Sequence, residues 1–269
     1  MHSLIDEKMV ERIRTTGHAV VDVPNRTDIL DSLGLPWDRP AQNVVIMGCQ
    51  NLRLLPDSLQ AFSRILRRSG MDFTFLGREY CCGNYLYRPA IQAKDDSAMA
   101  ECRSLSREFI GLNMEQARKL GARRMVLFCS PCYPIYRHAF PEEDIVFYPQ
   151  AIAEALGSMA PLHWERNIDY YAGCYRLHRA FAPVPMDLQS TNNVLGQIAG
   201  LDIHRISAPS CCFKPEGLSH MIGNVRTDCM VHICTGCYFQ ALNHMPGDRG
   251  VKVMMLPEFV EAAMAASGE

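Results

Sequence analysis

Twelve cysteines in a chain of 269 residues are the feature of this sequence that points most directly to chemistry. Ten of them form two sets with one order: a single cysteine, an adjacent pair and a C-x-x-C motif. Cysteine thiolates bind soft metals and take part in redox reactions, so this pattern indicates metal ligation, redox chemistry or both. The first set is Cys49, Cys81, Cys82, Cys129 and Cys132; the second is Cys174, Cys211, Cys212, Cys234 and Cys237.

The N-terminal segment and the short apolar windows of the sequence argue against a scaffold of structural disulfides. The N-terminal segment MHSLIDEKMVERIRTTGHAV contains acidic residues and no apolar core, unlike a secretory signal. The most apolar windows, such as VVIMGC, are too short to span a bilayer. We therefore expect a cytoplasmic protein without a membrane span, in a compartment that keeps thiols reduced. The formal net charge of -2 gives no indication of a nucleic-acid partner.

The sequence flanking the cysteines is also repeated. NVVIMGCQ matches DYYAGCYR, RRMVLFCSPCYPIY matches CMVHICTGCYFQAL, and DIVFYPQAIAEALG matches VKVMMLPEFVEAAM. Such internal similarity indicates a duplicated structural unit. We predict an N-terminal arm over residues 1–42, a first cysteine-rich unit over 43–160 and a second over 161–269.

Within each copy, apolar runs typical of strands alternate with segments of helical periodicity. Residues 57–69 and 96–120 are predicted helices, and DFTFL and LDIHRI are predicted strands that lead to the two cysteine pairs. This alternation predicts an α/β fold of two duplicated units with mainly parallel sheets, related by pseudo-two-fold symmetry. Because sites in such folds form at the carboxyl ends of strands, we expect each unit to gather its five thiols there.

Spacing alone leaves three chemistries open for the ten thiols. Zinc is bound by paired C-x-x-C motifs, but a closed zinc site uses four ligands rather than five. A thioredoxin-like thiol pair would account for CSPC and CTGC but not for the adjacent cysteines. Iron–sulfur clusters suit thiolate ligands, and adjacent cysteines can hold neighbouring irons of one cluster.

The duplicated order, with PDSLQAF after the first cysteine and EYCCGNYLY around the first pair, resembles the cysteine-rich CCG-domain family over residues 43–265. This family includes the B subunit of heterodisulfide reductase and iron–sulfur subunits of glycolate and lactate oxidation systems. The resemblance implies that each set of five cysteines holds a noncubane [4Fe-4S] cluster. It further implies that the two clusters face a shared cavity and split a disulfide, with Cys81 and Cys211 as candidate catalytic residues.

The resemblance also implies an electron-transfer complex. The sequence contains no G-x-G-x-x-G and no C-x2-C-x2-C-x3-C-P motif. We therefore expect a ferredoxin-like iron–sulfur subunit (HdrC-like) and a flavoprotein subunit (HdrA-like) as partners, and a small disulfide or thiol as substrate. The alternatives are a non-catalytic electron-relay subunit of a dehydrogenase or quinone-linked complex, and a zinc-bound scaffold.

The second copy departs from the family pattern. Phe213, Lys214 and Pro215 follow its cysteine pair where the family has glycine, and its link to C-x-x-C is shorter. Its site could therefore hold another cluster type or zinc.

Several other residues have either a functional or a structural interpretation. Cys102 and Cys229 are expected in the core. One of four histidines could supply protons for thiol formation, and three tyrosines each follow a cluster cysteine, where they could shield it or donate to sulfur. Lys214 could attract an anionic substrate. The histidines are His178, His204, His220 and His232, and the tyrosines are Tyr133, Tyr175 and Tyr238.

Overall fold

The computed structural model describes residues 1–175, 180 and 182–268, and the chain divides into two compact units. The first unit contains residues 1–56, 72–147, 180 and 182–186. The second contains residues 57–71, 148–175 and 187–268. Each unit is built around its own sheet.

The two sheets have the same topology. In the first unit, four parallel strands lie in the order β2-β1-β3-β4. In the second, four parallel strands lie in the order β6-β5-β7-β8. The predicted α/β fold with two parallel sheets is therefore confirmed. The strands are β1 Asn43–Ile46, β2 Phe73–Phe75, β3 Arg124–Leu127, β4 Ile145–Phe147, β5 Leu162–Tyr171, β6 Ile198–Arg205, β7 Cys229–His232 and β8 Lys252–Met255.

Helices alternate with the strands along the chain. No described helix is both long and apolar enough to cross a membrane. The helices are α1 Glu7–Thr16, α2 Arg26–Ser32, α3 Asn51–Leu54, α4 Pro56–Arg68, α5 Tyr87–Ala93, α6 Asp96–Lys119, α7 Cys132–Ala139, α8 Tyr148–Gly157, α9 Gln189–Gly196, α10 Pro215–Gly223, α11 Thr235–His244 and α12 Leu256–Ala266.

Helix α6 accounts for the longer link in the first copy. It begins at the N-cap Asp95, whose side chain accepts a hydrogen bond from the Ala98 backbone N–H, and it ends one residue before the predicted position. Cys102, Leu105 and Phe109 lie on its buried stripe in the core of the first unit. At the corresponding place the second copy has only the nine-residue helix α10.

The compact units do not coincide with the two halves of the sequence repeat. Nearly all of α4, which follows the first-copy Cys49, lies in the second unit. There Phe62 makes an edge contact with Tyr148 at 6.0 Å between ring centroids, and Arg64 pairs with Glu261. The N-terminal residues 1–42 lie within the first unit, and Val10 and Ile13 of α1 belong to its core.

Candidate functional site

A glycine with left-handed backbone delivers the first cysteine of each set. Gly48 (φ 87°) precedes Cys49 after β1, and Gly173 (φ 97°) precedes Cys174 after β5. A Cβ atom at Gly48 would lie only 2.6 Å from the Cβ of Cys129. Glycine is therefore required at this position both for its backbone conformation and for the close approach of the C-x-x-C loop.

The structure brings the first five thiols into one continuous group. The Sγ atoms of Cys82 and Cys132 are 3.3 Å apart. Cys81 is in hydrogen-bond contact with both Cys49 and Cys82, and Cys132 is in contact with Cys129. The contacts thus run in the order Cys49, Cys81, Cys82, Cys132, Cys129.

The second five thiols form a group with the same order of contacts. The Sγ atoms of Cys212 and Cys237 are 3.5 Å apart. Cys211 is in contact with Cys174 and Cys212, and Cys237 is in contact with Cys234. The contacts in the second group thus run in the order Cys174, Cys211, Cys212, Cys237, Cys234, which is the order of the equivalent cysteines in the first group.

The donor set of each group fits a polynuclear centre. In the described part of the chain, no three Cys, His, Asp or Glu side chains surround a point in the manner of ligands to a single metal ion. The thiols instead lie against one another at the strand ends. Five soft sulfur donors in one place suit the chemistry of an iron–sulfur cluster, and the ten cysteines are the residues that would hold it.

The second cysteine of each pair is the more readily ionised thiol. Hydrogen bonds with Cys132 and Cys81 lower the pKa of Cys82. Hydrogen bonding with Cys237 likewise lowers the pKa of Cys212. The thiolate is the form that binds metal, so each site has one cysteine prepared for ligation.

A backbone N–H group donates to the first cysteine of each pair. The Gly83 N–H points to the Cys81 Sγ at 3.4 Å, and the Phe213 N–H contacts Cys211 in the same way. Gly83 has φ 77°, whereas Phe213 does not adopt a left-handed conformation. The second loop therefore accepts a phenylalanine because it makes the same N–H contact with a different backbone.

Phe213 covers part of the second site. Its side chain is 68% exposed, yet a Cβ atom at Gly236 would meet its ring at 3.0 Å. The ring therefore lies over the CTGC loop. Lys214 is exposed beside it, at the N-cap of α10.

A buried ion pair supports the first site and was not foreseen from the sequence. The Glu79 carboxylate lies 2.7 Å from the Arg26 guanidinium, and both side chains are buried. The same carboxylate accepts hydrogen bonds from the backbone N–H groups of Met47 and Gly48, at 2.9 and 2.6 Å. It therefore ties the turn before Cys49 to the segment that leads to the cysteine pair. The one sequence signal for this role was that an acidic residue, Glu79, stands two positions before the first cysteine pair and has no counterpart before the second pair.

Tyr85 is a second functional candidate that sequence reasoning did not single out. Burial of its phenol raises its pKa, and Cys49 and Cys129 raise it further. The side chain is nevertheless 45% exposed. Tyr85 is thus a partly exposed side chain whose phenol is affected by the charge of the first thiol group.

The four candidate histidines have different environments. His178 lies outside the described residues. His204 contacts the Asp169 carboxylate at 2.6 Å, and His220 contacts the Ser207 hydroxyl at 3.0 Å. His232 is fully buried, and burial lowers its pKa to about 3.

The three candidate tyrosines also differ. Burial raises the pKa of Tyr175, and the thiols of Cys234 and Cys237 raise it further, so Tyr175 borders the second site. Tyr133 packs against Phe147, with ring centroids 5.4 Å apart. Burial raises the pKa of Tyr238, and the charges of Glu258 and Asp57 raise it further.

The two remaining cysteines lie in the cores, as predicted. The Cys102 thiol donates to the Leu86 carbonyl at 3.4 Å, and burial raises its pKa to about 11. Cys229 is buried at the start of β7. Neither belongs to a thiol group.

Comparison with known proteins identifies one family model and several similar curated proteins. Residues 44–134 match the family model of the cysteine-rich domain, CCG. Three similar curated proteins are each the D subunit of a dihydromethanophenazine:CoB--CoM heterodisulfide reductase, from Methanosarcina mazei, Methanosarcina acetivorans and Methanosarcina barkeri. Their identities to this chain are 28%, 26% and 29% over 126 residues. Each match covers 43% of this chain and 29% of the relative.

Proposed function

The first half of this chain carries a cysteine-rich CCG domain, and from that premise we propose that the protein is an iron–sulfur redox subunit that cleaves or forms a disulfide. Two noncubane [4Fe-4S] clusters are its proposed cofactors, one held by each thiol group. The matched relatives are D subunits of heterodisulfide reductase rather than the B subunit that the sequence resembles. Because only part of each relative is matched, its activity enters here as a proposal.

The observation that carries this proposal is the identical order of contacts in the two thiol groups. A chance cluster of cysteines in one unit would not be expected to recur, with the same order of contacts, at the second sheet. Cys81 and Cys82 in one unit correspond in this respect to Cys211 and Cys212 in the other. Duplicated ligand sets of this kind support two clusters of related type.

The chain's own residues prepare each site for ligation and redox work. Burial of Cys82 and Cys212 limits the access of water to the ligand sulfur atoms. The backbone N–H groups of Gly83 and Phe213 orient the first cysteine of each pair. Bound clusters would supply one-electron chemistry at thiolate-ligated iron.

The proposed reaction consumes two electrons and two protons. Cleavage of the sulfur–sulfur bond of a small disulfide yields two thiols, and the reverse reaction returns the electrons. A ferredoxin-like iron–sulfur subunit and a flavoprotein subunit are the proposed partners that supply or accept the electrons. The electrons then pass through the ligand sets that contain Cys81 and Cys211.

The first experiment measures the metal content. Protein isolated without oxygen should contain about eight irons and eight sulfides per chain, as two four-iron clusters require. Zinc without iron would contradict the redox proposal and would support the zinc-bound scaffold.

The second experiment measures thiol release. The chemically reduced protein, in complex with its electron-donor subunits, is mixed with a low-molecular-mass disulfide without oxygen. Release should be lost in both Cys81→Ser and Cys211→Ser, whereas the core variant Cys229→Ala should retain it. Full iron content and reducible clusters without thiol release from the unmodified protein would instead support the electron-relay function.

A further inference from the structure

A buried tyrosine and a buried histidine lie side by side at the second thiol site. Tyr171 is the last residue of β5 and His232 the last residue of β7, and they are register partners in the parallel sheet. Their ring centroids are 5.8 Å apart at an interplanar angle of 63°. Tyr171 is 1% exposed and His232 0%.

The polar atoms of both side chains lack hydrogen-bond partners. Neither the Tyr171 hydroxyl nor either ring nitrogen of His232 has one within the described structure. Leaving such a group buried and unpaired costs about 1–3 kcal/mol, and native proteins rarely tolerate this without a partner or a function. Two unsatisfied side chains in contact point to a group other than the described residues that completes their hydrogen bonding.

Tyr171 adjoins the thiol group, and its neighbour His232 ends β7 two residues before Cys234. Tyr171 packs in one core cluster with Cys212 and Cys237. Burial raises the pKa of the Tyr171 phenol, and the Cys237, Cys212, Cys174 and Cys211 thiols raise it further. Tyr171 therefore borders the second thiol group.

The first unit has no such polar pair at the equivalent positions. Ile46 ends β1, Leu127 ends β3, and these two residues are register partners. Ile46 lies three residues before Cys49, as Tyr171 lies three before Cys174; Leu127 lies two before Cys129, as His232 lies two before Cys234. Both apolar residues are buried. The fold of the unit thus does not require a tyrosine or a histidine here.

We propose that Tyr171 O–H and His232 N–H donate hydrogen bonds to sulfur at the second site and thereby make it the more easily reduced of the two. The inference rests on the proposed iron–sulfur function. Hydrogen bonds to a ligand thiolate or a cluster sulfide stabilise the more negative, reduced state and raise the reduction potential. Tyr171 and His232 are positioning residues in this role, because they act through sulfur.

The test uses three variants of the complete protein. Tyr171→Phe removes only the hydroxyl, and His232→Leu installs the residue of the first unit. The control is Tyr170→Phe, because Tyr170 is the neighbouring buried tyrosine of β5, and Arg205 rather than a thiol lies over its ring, 5.4 Å from the ring centroid. Loss of one signal in Cys212→Ser assigns the second cluster.

The readout is the reduction potential of each cluster, followed by electron paramagnetic resonance during an anaerobic redox titration. Tyr171→Phe and His232→Leu should each make reduction of the second cluster about tenfold less favourable, a fall of about 59 mV for one electron. The first cluster provides an internal control and should not shift, and Tyr170→Phe should leave both potentials unchanged.

Two results would overturn the inference and are distinguishable. If iron is present and neither variant changes the reduction potential of the second cluster, Tyr171 and His232 do not donate hydrogen bonds to its sulfur, and the proposed function stands. If the unmodified protein binds no iron, the proposed function fails and this inference fails with it. A second readout is the thermal stability of the cluster-free protein, which Tyr171→Phe should leave unchanged or raise; a clear loss would show a structural hydrogen bond instead.

Discussion

The Arg26 guanidinium and the Glu79 carboxylate form a buried ion pair, 2.7 Å apart, behind the first thiol site. Arg26 also donates to the Leu76 carbonyl at 2.8 Å. The pair joins α2 to the segment that leads to Cys81. Helix α2 is thus part of the support of this site.

Removing the cation should destabilise the first unit strongly. Arg26→Met leaves the Glu79 carboxylate buried without its partner, which costs about 3–5 kcal/mol. The matched control is Arg14→Gln, because the Arg14–Glu108 pair is exposed and its loss should cost at most about 1 kcal/mol. Urea unfolding of the cluster-free protein measures both changes. Equal losses in the two variants would show that burial of the Arg26 pair has no special importance.

Gly48→Ala should impair assembly of the first site. The new Cβ would lie 3.0 Å from the Cys129 Sγ as well as 2.6 Å from its Cβ, so the C-x-x-C loop must move. Gly70→Ala is the control, because Gly70 also has a left-handed backbone (φ 73°) but open space around it. Both variants should lose about 1–2 kcal/mol from backbone strain. Only Gly48→Ala should also lower the iron content, and normal iron in that variant would contradict the expected crowding.

Replacing a ligand and replacing a core cysteine should have different effects. Cys82→Ser removes the central thiol of the first group and should abolish the spectroscopic signal of that cluster. Cys102→Ala removes a buried thiol outside the group and should cost only roughly 1 kcal/mol of stability. Iron content and electron paramagnetic resonance distinguish these outcomes. Complete loss of the cluster in Cys102→Ala would show that this cysteine is a ligand.

Asp169 should make the second unit sensitive to acid. Burial alone would raise the pKa of this carboxyl group, but hydrogen bonds from His204, Thr227 and Arg226 outweigh burial and lower it. A lowered pKa in the folded state means that the stabilisation is present above the unfolded pKa of about 3.9 and disappears as the pH falls through the folded value.

Asp169→Asn is the variant that tests this dependence. At pH 7 it should reduce the free energy of unfolding by about 3 kcal/mol, since it weakens several hydrogen bonds to a buried charge. The difference from the unmodified protein should stay constant from pH 7 to about pH 5 and shrink below about pH 4. Urea unfolding of the cluster-free protein at each pH measures it. If the difference in unfolding free energy between the two proteins grew as the pH fell, the pKa of Asp169 would be raised rather than lowered in the folded state.

Much of the fold and of the site could be predicted from sequence because the relevant signals are local. An apolar run followed by Gly-Cys predicts a strand with a cysteine directly after its carboxyl end, as at Cys49 and Cys174. The helix predicted over residues 96–120 matches α6, Asp96–Lys119, to within one residue. Since parallel strands place their carboxyl ends at one edge, the gathering of five thiols in each unit followed from the order of strands and cysteines.

Tertiary structure alone decided which side chains support each thiol group. The sequence contains Glu79 and Arg26 without indicating that they meet, because their pairing depends on how α2 packs. It likewise contains Tyr171 and His232, 61 positions apart, and only the pairing of β5 with β7 makes them neighbours. The sequence determined which ten thiols form the two sets through residue type and spacing, whereas the side chains that surround each set are brought there by long-range packing, which no local pattern encodes.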